Sequence, residues 1–232
     1  MLMKNKTALI ILVLFQFSCM AGFSQDRQER DLPGFNAVAL GIHARLYLTQ
    51  GSMQKVEIET TGKVMDLIET EVKNNVLHIK CDSWKSMQNT DVTIRITAPE
   101  YKGLYLSGSG DMIAEKKIQS DEIEFKVSGS GTIDLKDLQA GEVESAISGS
   151  GDINLAGDAR EMDVSISGSG GIQAESFTVG ECSIRISGSG KCRIRASDEI
   201  DARISGSGSV YYYGNPKIDA SVSGSGKVRS GE

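Results

Sequence analysis

Arg185, Lys191, Arg193, Arg195, Arg203, Lys227 and Arg229 make the late part of the chain basic, and of these Arg185, Lys191, Arg193 and Arg203, with Tyr211 and Tyr213, form a candidate ligand-binding surface. Cations beside exposed phenol rings suit an anionic glycan or a lipid head group, because the charge attracts the anion while the ring packs on a sugar face. The competing reading is a plain soluble surface. Upstream the sign reverses: Asp121, Glu122, Glu124, Asp134, Asp137, Glu142, Glu144, Asp158, Glu161 and Asp163 make an acidic segment. Over 232 residues the balance is 25 Lys plus Arg against 31 Asp plus Glu, a net charge of −6, so nucleic acid is not an expected partner.

Other residues with chemical capability read as structure. Glu122 with Glu124, and Glu142 with Glu144, are carboxylate pairs of the kind polysaccharide hydrolases use, but a solvated acidic edge explains them better. His43 and His78 are the only histidines; His78 alternates outward between Leu77 and Ile79, and both read as surface strand residues. Cys182 and Cys192 flank one corner in phase with Ile184 and Ile194, which leaves open a disulfide across a coil or two small buried hydrophobes. Cys81, in phase with Leu77 and Ile79, is expected to stay free. No catalytic residue, metal ligand or cofactor is expected.

The elements that must position these side chains announce themselves by repetition. Ser-Gly-Ser-Gly begins at 107, 128, 148, 167, 187, 205 and 223, at intervals of 18 to 21 residues. A phosphate-cradling loop would occur once, at a helix N-terminus. Stacked calcium sites would need an acid after each tetrapeptide, yet that position reads Asp111, Thr132, Asp152, Gly171, Lys191, Ser209 and Lys227. A backbone corner built seven times remains. Its glycines are Gly108, Gly110, Gly129, Gly131, Gly149, Gly151, Gly168, Gly170, Gly188, Gly190, Gly206, Gly208, Gly224 and Gly226, residues able to take a positive φ. The serines are expected to form a hydrogen-bonded ladder along the edge.

The residue before each tetrapeptide is aliphatic (Leu106, Val127, Ile147, Ile166, Ile186, Ile204, Val222), and apolar residues alternate with polar ones after it. That period of two is a half-buried strand. A period near 20 with a fixed corner is a solenoid, because one unit cannot bury its own apolar face. The expected fold is all-β: a parallel, right-handed β-helix-like solenoid of about seven coils over residues 104–232, preceded by a second β-rich module over 25–103. An up-and-down antiparallel sheet with Gly-rich hairpins is the rival architecture. In the first module "KVMDLIET" suggests a short helix and Asn74-Asn75 a tight turn. Residues 1–24 have the plan of a secretory signal peptide, with Lys4 and Lys6 before an apolar run from Thr7 to Phe17, and with lipidation at Cys19 as its rival.

The stretches "LPGFNAVALGIHARLYLTQG" (32–51), "EVKNNVLHIK" (71–80), "VTIRITAPEYKGLYLSGSGDM" (92–112) and "YYYGNPKI" (211–218), with the later tetrapeptides, resemble the secreted bacterial auto-transporter adhesins that carry a head GIN domain. The resemblance implies an extracellular or cell-envelope β-solenoid of two β modules, and brings no catalytic residues with it. The expected protein is a non-enzymatic exported adhesin or surface scaffold in the periplasm, on the outer membrane or outside the cell. A module binding anionic polysaccharide or lipid head groups is the second reading, and a polysaccharide lyase or hydrolase the third. Glycan or another envelope protein is the expected partner, and membrane contact would come only through lipid at Cys19. Nothing in the sequence sets an oligomeric state.

Overall fold

Aliphatic residues on both sides of each Ser-Gly-Ser-Gly can be buried together only if successive units stack in register, and they do. In the computed structural model, residues 26–81 and 90–231 are described; the segment expected to be a signal peptide, with Cys19, lies outside them. The chain is 72% strand and 2% helix, and its core is a β-solenoid of about six turns. Five long strands carry it: β10 (Ile118–Val127), β11 (Thr132–Gly149), β12 (Asp152–Gly168), β13 (Gly171–Gly188) and β14 (Lys191–Gly206). They are followed by β15 (Ser209–Tyr213), β16 (Lys217–Gly224) and β17 (Lys227–Ser230). Every pairing among these strands is parallel, which rules out the antiparallel meander.

Register brings like onto like. Ile147, Ile166, Ile186, Ile204 and Val222 form one column, and Ile133, Ile153, Ile172, Cys192 and Val210 another. All are buried except Val222, which lies on the last rung and is 42% exposed. Each fully buried aliphatic side chain contributes about 1.5–3 kcal/mol of transfer free energy, so the columns supply the main drive for stacking.

The expected division between a 25–103 module and a 104–232 solenoid is not a break in this stack. Its strands are β1 (Asp26–Glu29), β2 (Ala37–Leu40), β3 (Arg45–Gln50), β4 (Lys55–Thr60), β5 (Ile68–Lys73), β6 (Val76–Cys81) and β7 (Thr93–Ala98), with one short helix, α1 (Gly62–Met65), between β4 and β5. β2 pairs in parallel with β6 on one side and with β8 (Gly103–Leu106) on the other, while β3 lies between β7 and β9 (Asp111–Ala114). The β2–β3 unit is therefore itself a coil, and "GIHA" at 41–44 takes the corner place that Ser-Gly-Ser-Gly takes later. Tyr101, at the supposed boundary, is fully buried and its hydroxyl lies 3.1 Å from both Thr49 O and Ile96 O. One apolar core runs from Phe35 to Val210.

Antiparallel strands are confined to the other end of the stack. β5 and β6 form a hairpin whose turn places Asn74 at φ 51° and Asn75 at φ 62°, as that dipeptide predicts. β4 lies antiparallel to β7, and β1 to β4. β1 is exposed throughout and pairs Arg27 with Glu57 at 2.7 Å. A charged, antiparallel outer strand blunts a sheet edge against further pairing.

From the third corner on, the two glycines of a corner serve different needs; Gly108 and Gly129, the first glycines of the two earlier corners, take no positive φ. Gly168 has φ +133°, a region closed to residues with a Cβ, and a Cβ there would also meet the Gly149 carbonyl oxygen. Gly190, the second of its pair, needs no positive φ; it faces inward, where a Cβ would stand 2.5 Å from Ile166 Cγ2. The rungs at the corner are made by backbone, not by serine hydroxyls: Ser189 N donates to Gly168 O at 2.9 Å, and Ser207 N to Gly188 O at 2.8 Å. Gly168→Ala is therefore expected to destabilise by about 2 kcal/mol or more in chemical denaturation. Gly226→Ala costs less because the last rung can fray, and Ser169→Ala stays within about 0.5 kcal/mol because that exposed hydroxyl holds nothing.

Candidate functional site

Stacking in register turns a run of charges in sequence into a column in space. Each corner separates two outward faces, one on the strand leading into it and one on the strand leaving it. The first face is acidic: Glu122, Glu142, Glu161, Glu181 and Glu199 stand in one column that ends on Lys217. Cations are drawn to it, with Lys217 Nζ 3.0 Å from Glu199 Oε1, Arg203 2.9 Å from Asp201, and Arg160 on Glu161.

The second face changes sign along its length. Asp134, Asn154, Gln173, Arg193, Tyr211 and Arg229 succeed one another in one column, and Asp152, Gly171, Lys191, Ser209 and Lys227 in the next. On the last three rungs it holds Lys191, Arg193, Arg195, Lys227 and Arg229. None of these cations has a carboxylate partner among the described residues. Neutral groups position the three arginines instead. Arg193 donates to Gln173 Oε1 at 2.6 Å, Arg195 Nε to the Glu175 carbonyl at 3.1 Å, and Arg229 to the Tyr211 hydroxyl at 2.7 Å. The Tyr211 ring is flanked by the guanidinium groups of Arg193 at 5.3 Å and Arg229 at 4.7 Å, and the Tyr213 ring by that of Arg195 at 5.5 Å.

This arrangement divides the sequence-derived set. Lys191, Arg193, Tyr211 and Tyr213 share the second face, joined by Arg195, Lys227 and Arg229. Arg185 and Arg203 do not join them: they pair with each other across the preceding face, where Arg203 is tied to Asp201 and Arg185 donates to Ser183 Oγ at 3.2 Å. The corner lies between the two groups, so the six residues form no single surface. Tyr211 is also not a sugar-stacking platform, since arginines flank its ring; it is a spacer that holds two guanidinium groups. Arg229, legible in sequence as a late basic residue at the same tetrapeptide offset as Arg193, joins the site because that offset puts both in one column.

The remaining candidates are accounted for. His43 Nδ1 lies 3.1 Å from Ser109 O, so this histidine tethers its corner to the next. Cys182 and Cys192 are buried and free, in different columns, and burial pushes the Cys192 thiol up to about 12. Cys81 is also free. Among the described residues no group of three or more His, Cys, Asp and Glu is placed to hold a metal, and no helix is long and apolar enough to cross a membrane.

The family model described as "Putative auto-transporter adhesin, head GIN domain" matches residues 34–216. The chain belongs to that family. Its coils are shared with a crystal structure from Bacteroides fragilis described as a putative adhesin, at 25% identity, TM-score 0.83, with 90% of this chain and 98% of that one covered. A putative lipid binding protein from Parabacteroides distasonis is similar at 22% identity and TM-score 0.70, covering 90% and 97% of the two chains. A putative adhesin from Parabacteroides merdae is similar at 24% identity and TM-score 0.69, covering 90% and 96%. These last two bear on the fold alone. A search of curated proteins gave no match. The match to the head GIN family ends before Lys227 and Arg229, so the outermost rung of the basic face lies beyond the matched residues.

Charge on this face acts on the Tyr211 phenol. The hydrogen bond from Arg229, with Lys191 and Arg193 nearby, holds the Tyr211 phenol below the ordinary tyrosine range. Burial and the bond to Glu124 push Tyr105 the other way, to about 12. In a spectrophotometric titration Tyr211 is expected to ionise ahead of Tyr105, and Arg229→Gln to return it toward the ordinary value.

Proposed function

We propose that this head GIN domain is a non-enzymatic, exported envelope adhesin that docks anionic groups of a cell surface through the second face of its last three rungs. The observation that carries the reading is the set Lys191, Arg193, Arg195, Lys227 and Arg229, five cations on one sheet face with no carboxylate partner among the described residues, the three arginines held by neutral groups, while the neighbouring face is acidic. Charge left without a counter-charge is available to a ligand, and its fixed spacing spares the ordering cost that flexible side chains would add on binding. The family description and the adhesin from Bacteroides fragilis support a surface role. The leader at residues 1–24 supports export.

The shared chemistry is an exposed carboxylate, sulfate or phosphate, from an acidic polysaccharide or from a lipid head group. Binding of the purified chain to immobilised acidic polysaccharide and to vesicles containing phosphatidylglycerol separates the two sources. With either source, affinity is expected to fall by about tenfold or more between low and physiological salt, because exposed charges are screened over about 8 Å at 0.15 M. Arg193→Glu with Arg229→Glu is expected to abolish binding while the circular dichroism spectrum is kept. Arg185→Glu with Arg203→Glu, on the other side of the corner, leaves it within about threefold. Loss of binding only in the second pair would move the site to the preceding face.

A further inference from the structure

On the basic face the charges are not evenly spread along the stack: they alternate. In one column Lys191 is followed by Ser209 and then Lys227; in the adjacent column Arg193 is followed by Tyr211 and then Arg229. Both columns read cation, neutral, cation, with the neutral rung shared. Rungs of a β-sheet lie about 4.8 Å apart, so the charged rungs repeat at roughly 10 Å along the solenoid axis. Each charged rung offers an ammonium and a guanidinium two residues apart on the same strand face, roughly 7 Å from one another, and the first rung adds Arg195 two residues further along. The coil before them is neutral in the same columns, with Gly171 and Gln173, which marks where the strip begins.

Resting on the reading of this face as an anion-binding surface, we propose that its ligand is an acidic polysaccharide in which a charged sugar alternates with a neutral one, lying along the solenoid axis. One sugar of an extended chain advances about as far as one rung. An alternating chain therefore sets a carboxylate or sulfate against Lys191 with Arg193, a neutral sugar against Ser209 and Tyr211, and the next anion against Lys227 with Arg229. A polymer charged on every sugar places an uncompensated anion on the neutral rung. The Tyr211 ring, flanked by Arg193 and Arg229, keeps the two guanidinium groups one period apart and leaves its ring faces unavailable for stacking. A lipid surface has no such one-dimensional repeat and gains nothing from the alternation.

The test uses the intact chain and size-matched probes: a hyaluronan hexasaccharide, charged on alternate sugars; a galacturonate hexasaccharide, charged on every sugar; and vesicles containing phosphatidylglycerol. Titration calorimetry is expected to show hyaluronan binding at least as tightly as galacturonate, although it carries half the charge. Ser209→Lys fills the neutral rung in a column already made of lysines, and is expected to shift the affinity ratio by about tenfold toward galacturonate. Lys227→Ser with Arg229→Gln removes the outer charged rung and is expected to erase the preference without changing the melting curve. Galacturonate binding more tightly in proportion to its charge, with a ratio that Ser209→Lys leaves unmoved, overturns the alternation while the anion-binding reading stands. Binding to vesicles alone overturns the polysaccharide assignment. Binding to none of the three overturns both.

Discussion

The structure depends on how closely one corner backbone can approach the next. At the five inner Ser-Gly-Ser-Gly corners the amide of the second serine reaches a glycine carbonyl of the preceding coil, as Ser169 N does Gly149 O at 2.9 Å, and at the last corner the Gly226 amide reaches Gly206 O at 3.0 Å. Any side chain larger than a hydrogen at Gly168 or Gly190 would occupy that space. Because the corner amides are bonded to the coil below, the turn is part of the sheet and not a loop over it. Register is then set at the corner and transmitted to both faces, which puts Ile166 on Ile186 and Cys192 on Val210. A slip of one residue would expose every inward side chain, so the corner and the apolar columns enforce each other.

Parallel stacking in fixed register has an electrostatic consequence. In an antiparallel sheet neighbouring strands can pair opposite charges; here each residue meets the residue at its own offset in the next coil. The column from Glu122 to Glu199 is the unfavourable form, eased by Lys217, Arg160 and Arg203 from its margins. On the other face the pattern is moderated by alternation, since Ser209 and Tyr211 separate cations that would otherwise be direct neighbours. The basic rungs stay close enough to act on one ligand and far enough apart to fold without counter-ions.

Much of this was legible in the sequence where one signal repeated. Seven tetrapeptides and the aliphatic residue before each give the coil, the corner and the inward columns; Asn74-Asn75 gives the hairpin turn. The β2–β3 coil carries no such signal, because its corner is "GIHA", with Ala44 in the place of the second glycine. Aligning "ALGIHARLYL" with "YLSGSGDMIA" reveals it, since Leu40 stands on Leu106 and Leu46 on Met112. Chain order also hid it: the coil lies between β6–β7, which follow it in sequence, and β8–β9. For the basic face, the residue types were legible but their grouping was not. Arg185 and Arg203 are near Lys191 and Arg193 in sequence, yet the corner turns the chain between them, and only the two-face geometry shows which cations look the same way.

The claim at the centre is that Gly-rich corners are bonded rungs of a continuous stack. Native-state hydrogen exchange resolved at single amides tests it directly. Protection of Ser150, Ser169, Ser189 and Ser207 comparable to that of the flanking core strands, despite their exposed and glycine-rich surroundings, is the result this account predicts. Exchange of those four amides at the rate of an unstructured loop, with the flanking strands still protected, would contradict it.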